Sequence, residues 1–341
     1  MNVRIAVLSL AFVIPACASS IQPREATPVP AANRIVYDLT NRIISLGDGS
    51  QLLLYQPDPP NGHPPSMQAF FVSKDGHDHD QNLRLEQFIL NDISPGTSGQ
   101  IRGGAMSADH QWIALVGGWA SVHDHRGHNG IFLLQRANGT WRNKSWFDLP
   151  GITIGDVAFG PDDTLALLTQ PTKPEGGVAP ILTIYSYSGQ NLGSFLDTPG
   201  HANAADTSTM TSRLQKIGES SYAVLDTATY AVRFFRLTTN GRTVTAAETK
   251  RVPVPFITDR MNVVAFDAHP DGRVVLARSF GDAEHRAKTV VTVVGGDGKV
   301  AEEWTSPRYW RYGYMENGTL HGYERMGPNQ PLQTSTVTVD R

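Results

Sequence analysis

Histidines crowd one short stretch of the chain, Val122-His123-Asp124-His125-Arg126-Gly127-His128. Imidazole is the commonest metal ligand in proteins, and histidines two residues apart with a third nearby can meet one divalent ion. The stretch therefore has two interpretations: a metal site made of His123, His125 and His128, or a polar loop exposed to solvent. A divalent metal is the candidate cofactor on the first interpretation. On the second, no cofactor is implied.

Arginines stand at the start of several apolar, strand-like runs. The runs can be aligned on the turn that follows each of them. Six polar residues then fall at one position or directly before it: Arg42, Arg102, Asp156, Arg213, Asn262 and Arg311. If the runs converge on one axis, these side chains meet at one mouth. Arginine binds carboxylates and phosphates through parallel hydrogen bonds, which predicts a small anionic ligand there. The alternative is that each arginine pairs with a nearby acid and only ties neighbouring units together.

One pattern of strand, turn and strand recurs along the chain and must position these side chains. The copies are residues 42–55, 103–116, 156–169, 213–226, 263–277 and 311–324, with turn centres 46 to 61 residues apart. Further strand-like runs follow each copy, most clearly at 181–189 and 190–197. Alternating apolar and polar residues bounded by Gly, Asp and Pro are typical of strands. Four strands per repeat of about 50 residues predict an all-β fold, a six-bladed β-propeller.

The sixth copy is incomplete, because a single strand-like run, 332–340, follows it. Residues 34–40 form a β-branched run that belongs to no repeat. Pairing of 34–40 with 332–340 would complete the last blade and close the ring, which removes exposed sheet edges. Two separate β-sandwiches are the alternative architecture.

Two copies, Val157-Ala-Phe-Gly-Pro-Asp-Asp163 and Phe266-Asp-Ala-His-Pro-Asp-Gly272, are similar to repeats of a known group. With the rest of residues 34–341 they resemble the six-bladed β-propellers, which include NHL-type, TolB-like and SMP-30/gluconolactonase-like proteins. The resemblance implies a ligand site on the face that carries the loops between second and third strands, where the histidine stretch falls. The group contains enzymes and binding modules alike, so the resemblance concerns the fold.

Lactonases of the SMP-30-like and paraoxonase-like types hold a metal in that mouth with Glu, Asn and Asp. Asp156 and Asn262 match those residue types, whereas the arginines would repel a cation. The sequence therefore predicts binding of a small anionic ligand or an envelope protein, with a metal-dependent lactonase or esterase as the alternative. The histidine stretch also resembles the HxHxDH signature of metallo-β-lactamase-type hydrolases, but Gly127 stands where that signature needs Asp.

The first residues follow the pattern of exported proteins. Arg4 precedes an apolar run at 5–14, and small residues come next. Ile14-Pro15-Ala16-Cys17 resembles the lipobox of bacterial lipoproteins, in which the Cys becomes the lipidated N-terminus. We expect residues 1–17 to be a signal peptide, Cys17 the lipid attachment site and residues 18–33 a flexible tether. The protein would then belong to the bacterial cell envelope and touch the membrane through its lipid only. Ordinary cleavage and secretion are the alternative.

Composition excludes several classes of protein. With 29 Lys and Arg against 32 Asp and Glu, the formal charge is −3, which excludes a strongly basic nucleic-acid binder. The 32 Gly and 22 Pro among 341 residues predict many turns but not a collagen-like or disordered chain. No apolar run reaches the roughly 18 residues of a membrane-spanning helix. Cys17 is the single cysteine, so stability must come from packing and not from a disulfide.

Overall fold

Every regular element of the computed structural model is a strand. The structure describes residues 21–23, 27–28, 42–46, 50–55, 68–72, 81–82, 98–120, 127–171, 178–199, 212–240, 243–257, 262–280, 288–310, 312–316, 318–324 and 333–339. Within these ranges there is no helix, and so none that could cross a membrane. The predicted all-β class is therefore confirmed for the described part of the chain.

The strands form antiparallel sheets. Two short strands come first, β1 (Ile21–Pro23) and β2 (Thr27–Pro28). The first sheet has β3 (Arg42–Ser45), β4 (Gln51–Tyr55), β5 (Gln68–Val72) and β6 (Gln81–Asn82). The second has β7 (Ser98–Met106), β8 (Trp112–Ala120), β9 (Gly127–Ala137) and β10 (Thr140–Asp148). The third has β11 (Ile152–Phe159), β12 (Thr164–Pro171), β13 (Val178–Ser186) and β14 (Asn191–Pro199).

The remaining sheets continue in chain order. The fourth sheet has β15 (Arg213–Lys216), β16 (Ser221–Asp226), β17 (Ala231–Asn240) and β18 (Thr243–Pro253). The fifth has β19 (Asn262–Ala268), β20 (Val274–Phe280), β21 (Lys288–Val294) and β22 (Val300–Ser306). The terminal sheet has β23 (Tyr312–Glu316), β24 (Thr319–Glu324) and β25 (Gln333–Val339), with β1 and β2 paired to β25.

Each predicted repeat copy forms the hairpin of the first two strands of a sheet. The turn residues explain why the hairpins form where they do. Asp162 and Asp163, between β11 and β12, have φ values of 51° and 54°, a region that Asp enters more readily than most residues. Asn138 and Gly139, between β9 and β10, have φ values of 51° and 80°, as an Asn-Gly hairpin turn requires.

The outer edge of β25 is covered by β1 and β2, with Ile21 opposite Val339 and Thr27 opposite Thr334. The sequence predicts residues 34–40 in this place, but they lie outside the described residues. The edge is taken instead by residues 21–28, within the predicted tether. Any extended segment in reach can satisfy the backbone groups of an edge strand, and proline is tolerated in an outermost strand. Neither the apolar character nor the β-branching of 34–40 therefore decides the pairing.

The hydrophobic core lies between consecutive sheets. Clusters of buried side chains fill the interfaces from the first sheet to the terminal sheet. Representative partners within one cluster are Ile44 with Phe132, Ile131 with Ile154, Leu168 with Tyr222, Leu225 with Leu276 and Ala265 with Trp310. Because fully burying such a side chain contributes about 1.5–3 kcal/mol, these interfaces fix how each sheet packs on the next.

The first strands of the sheets lie side by side. Strands β3, β7, β11, β15, β19 and β23 contact one another in that order, and β23 also contacts β3. The beginnings of these strands are where the sequence predicts the polar mouth.

A buried ion pair reinforces the junction of the third and fourth sheets. Arg233 donates to the carbonyls of Leu196 and Asp197 at 3.1 and 3.0 Å, and its Nη1 lies 3.4 Å from Asp226 Oδ2. Its Nε and Nη2 donate to Glu248 at 2.9 and 2.7 Å. The side chains of Arg233 and Asp226 are 5% and 0% exposed, so both charges depend on these partners.

Candidate functional site

Two neighbouring first strands approach each other closely at the predicted mouth. A Cβ added to Gly103 in β7 would lie 2.6 Å from Asp156 Oδ1 and 3.0 Å from Asp156 Cα in β11. A larger residue at Gly103 would push against the Asp156 carboxylate. The alignment of the repeats placed these two residues at equivalent positions, and the structure brings them into contact.

Asp156 holds the third sheet against the fourth. Its Oδ1 accepts the N–H of Val157 at 2.9 Å, and its Oδ2 accepts the N–H of Leu214 at 3.0 Å. Both carboxylate oxygens therefore accept backbone hydrogen bonds, an arrangement that matches a structural link better than a metal ligand.

Arg213 continues the link from the fourth sheet to the fifth. Its Nη1 donates to the Ser212 carbonyl at 2.9 Å, and its Nη2 donates to the Val263 carbonyl at 2.8 Å. Burial lowers the pKa of Arg213, and the nearby Asp156 carboxylate acts in the opposite direction. The structure therefore brings Asp156 and Arg213 together, as the alignment predicts, and directs the guanidinium of Arg213 to backbone oxygens.

Arg102 takes a different place at the start of the second sheet. It stands at a β-bulge, where the register of β7 against β8 shifts between Ile101 and Gly103. Its Nη1 donates to Asn129 Oδ1 at 2.8 Å. A Cβ on Gly118 would lie 3.0 Å from Arg102 Nη2, so a glycine is needed where the guanidinium passes β8. Burial lowers the pKa of Arg102.

The other predicted mouth residues are placed only in part. Arg42 and Asn262 begin β3 and β19, but their side chains, like the whole of Arg311, lie outside the described residues. Between the fifth and terminal sheets, a Cβ on Gly313 would lie 3.1 Å from Ala265 Cβ. This close approach is two residues further along each strand than the aligned positions Val263 and Arg311.

His128 forms a hydrogen-bonded pair with a carboxylate of the next strand. Its Nδ1 lies 2.9 Å from Asp148 Oδ2, and the side chains are 23% and 30% exposed, so water reaches both. Asp148 Oδ1 is shielded and accepts no hydrogen bond within the described ranges. The contact with Asp148 uses Nδ1, so Nε2 is the ring nitrogen that can take up a proton.

The predicted metal partners of His128, His123 and His125, lie outside the described residues. Among the residues that are described, no group of three His, Cys, Asp or Glu side chains could hold a metal ion.

Arg102 and His128 flank the same strand end. Ile131 packs with the third sheet and Phe132 with the first. Because side chains alternate along a strand, Asn129 with Arg102 faces the third sheet and His128 with Asp148 faces the first. Consecutive Cα atoms are about 3.8 Å apart, so one small ligand lying over the start of β9 can reach both groups.

Sequence reasoning missed Asp148, Asn129 and Gly118. All three come from the second, third or fourth strand of a sheet, and the alignment compared only the beginnings of first strands. One signal was present: Asp148 precedes Leu149-Pro150-Gly151, a connection between repeats, and such connections lie at the same end of the sheet as the histidine stretch.

No protein-family model and no curated protein matches the sequence. Among solved structures, a periplasmic gluconolactonase of Pseudomonas aeruginosa is 12% identical with a TM-score of 0.46, covering 87% of this chain and 84% of its own. A protein of Lactobacillus plantarum is 11% identical with a TM-score of 0.45, covering 88% and 85%. A proposed 6-phosphogluconolactonase of Bacteroides uniformis is 11% identical with a TM-score of 0.42, covering 86% and 98%. The likeness is to propeller-like all-β folds.

Proposed function

We propose that residues 21–339 form a six-bladed β-propeller whose ring is closed at the terminal sheet. The proposal is supported by the successive contacts of the first strands, including that between β23 and β3. It is also supported by the pairing of β1 and β2 with β25, which joins the two ends of the chain in one sheet. We further propose that the protein is exported and anchored through a lipid on Cys17. Mass spectrometry of the mature N-terminus tests this, and an unmodified N-terminus at Ser19 would contradict it.

We propose that the protein hydrolyses a lactone or ester. The observation that carries this proposal is the pair His128 and Asp148 at the strand ends of the second sheet. A protein that only binds a ligand has no need of a proton acceptor, whereas hydrolysis of an ester does. A second pair, His269 with Asp271 at 3.2 Å, lies within a hairpin turn, where its side chains are 46% and 60% exposed.

The reaction follows from the chemistry of the pair. His128 Nε2 takes a proton from a water molecule as the water oxygen bonds to the carbonyl carbon of the substrate. Asp148 holds the ring through Nδ1 and stabilises the imidazolium that forms. The carbon–oxygen bond to the leaving group then breaks, and the imidazolium gives its proton to the departing alkoxide. The products are a carboxylic acid and an alcohol, joined in one molecule when the substrate is a lactone.

A metal in the mouth is not part of this mechanism. The Asp156 carboxylate accepts two backbone hydrogen bonds, and the neighbouring Arg213 would repel a cation. A metal held by His128 with the loop histidines remains a separate proposal, since a carboxylate on Nδ1 is also how proteins orient a metal-binding histidine. Metal analysis of the purified protein distinguishes the two, because turnover by metal-free protein supports His128 as the base.

The test is hydrolysis of para-nitrophenyl acetate and of dihydrocoumarin, a neutral lactone. We expect turnover by the wild type and a loss of about 100-fold or more in kcat for His128→Gln. The matched control is His269→Gln, which removes the histidine of the exposed pair and should leave kcat unchanged. If the wild type hydrolyses neither substrate, or both variants keep full activity, the proposal is wrong. Saturable binding without turnover would favour a ligand-binding protein.

A further inference from the structure

Arg102 is held in a fixed direction by features that serve no packing purpose. The bulge in β7 adds a residue at this position and turns its side chain out of the regular ladder. Asn129 on β9 accepts from Nη1 at 2.8 Å. Asn129 is neutral, so this hydrogen bond orients the guanidinium and leaves its positive charge in place.

Gly118 makes room for the guanidinium. A Cβ there would lie 2.8 Å from Asn129 Oδ1, 3.0 Å from Arg102 Nη2 and 3.1 Å from the His128 carbonyl. Glycine weakens a strand interior, and one retained there often marks a close approach of another group. The groups that approach Gly118 are the guanidinium and the amide that positions it.

The environment of Arg102 differs from that of Arg213. The guanidinium of Arg213 donates to two backbone carbonyls on two sheets, which makes it a link between them. Arg102 bonds within its own sheet, and a planar guanidinium held in this way matches the two oxygens of a carboxylate. Removing such a charge from water is costly unless an anion or other partners offset it.

We infer that the substrate of the proposed hydrolase carries a carboxylate, which Arg102 binds while the ester or lactone carbonyl lies over His128. The inference depends on the proposed function for its reacting half. It follows from the placement of Asn129 and His128 as neighbours in β9, which puts the anion anchor and the base on either side of one strand end.

The test compares two esters with one leaving group: the mono-para-nitrophenyl ester of succinic acid, which carries a carboxylate, and para-nitrophenyl butyrate, which is neutral. We expect the wild type to favour the succinate ester in kcat/KM by about 10- to 100-fold, the usual effect of a hydrogen-bonded charge pair. In Arg102→Gln the ratio of the two kcat/KM values should fall towards one, mainly through a higher KM for the succinate ester. Gly118→Ala, which keeps the arginine and displaces it, should lower the ratio in the same direction.

Arg142→Gln is the matched control, because Arg142 is an exposed arginine on β10 of the same sheet. This variant should keep the wild-type ratio. If the wild type hydrolyses both esters equally, or Arg102→Gln keeps the preference, the inference is wrong while the proposed function stands.

If the wild type hydrolyses neither ester, the proposed function fails. Calorimetry with glutarate then tests the anion site alone. Binding by the wild type that Arg102→Gln loses would support the site, and no binding by the wild type would overturn it.

Discussion

The buried pair of Arg233 and Asp226 gives a quantitative test of how the third and fourth sheets are joined. Arg233→Met keeps most of the apolar volume and removes the charge. The change removes hydrogen bonds to Leu196, Asp197 and Glu248, and it leaves the fully buried Asp226 without its cation.

The expected cost follows from the partners that remain. Removing one member of a buried ion pair costs about 3–5 kcal/mol, because the other charge stays buried and uncompensated. Asp226 keeps hydrogen bonds from the Thr198 hydroxyl at 3.0 Å and the Ala228 N–H at 3.1 Å. These bonds reduce the penalty, so we expect the free energy of unfolding to fall by about 3 kcal/mol, at the lower end of the range.

Urea unfolding of the mature protein measures this change. The matched control is Arg251→Met, since Arg251 also bonds to Glu248 but its side chain is 49% exposed. An exposed pair of this kind contributes about 0–1 kcal/mol. In the double variant Arg233→Met with Asp226→Asn, the uncompensated charge is gone, and we expect about 1 kcal/mol or more of stability to return.

Two results would refute this reasoning. One is a loss below about 1 kcal/mol for Arg233→Met with an unchanged slope in urea, which would mean that the pair contributes no more than a surface pair. The other is a double variant that loses the sum of the two single losses, since the two side chains would then act independently.

Three further predictions concern packing, edge pairing and pH. Gly322→Ala would place a Cβ 2.1 Å from the Trp310 ring, so we expect unfolding to be easier by about 1–3 kcal/mol in urea; Gly218→Ala, where the new Cβ has 3.4 Å to Ser221, is the control and should change little. Removing residues 1–30 takes away β1 and β2 and exposes the edge of β25, so light scattering should detect aggregation that a chain starting at residue 19 avoids. Burial tends to raise the pKa of Glu248, but hydrogen bonds from Arg251 and Arg233 outweigh it and lower that pKa. Stability from this group is present above the ordinary pKa of Glu and lost as pH falls through the lowered value, so urea midpoints should drop on acidification less in Glu248→Gln than in the wild type.

The hairpins could be predicted from sequence because their signals are local. Asp162, Asp163 and the Asn138-Gly139 pair set the turns, and the alternation of apolar residues sets which face of each strand is buried. The strand that covers β25 could not be predicted in this way. Its partner lies at the opposite end of the chain, and an exposed edge accepts any extended backbone, including the proline-containing residues 21–28.

The candidate site was predictable only where it repeats. Counting back from each turn found Asp156 and Arg213, which do lie together. Asp148 and Asn129 stand on later strands of the second sheet, where no repeat position marks them. The Arg233 pair was missed for another reason: a charged residue in an apolar run is ordinarily read as solvent-facing, and only the fold shows that Asp226 is there to meet it.

Equivalent positions in a repeat fold need not have equivalent roles. Arg102 and Arg213 both stand where the first strand of a sheet begins, yet β7 has a bulge at Arg102 and β15 pairs with β16 without any shift of register. In the regular ladder the guanidinium of Arg213 reaches across to the carbonyl of Val263 and joins two sheets. At the bulge the side chain of Arg102 is redirected onto Asn129, beside the strand end that carries His128. One extra backbone residue therefore separates an arginine that links sheets from an arginine placed to bind a ligand.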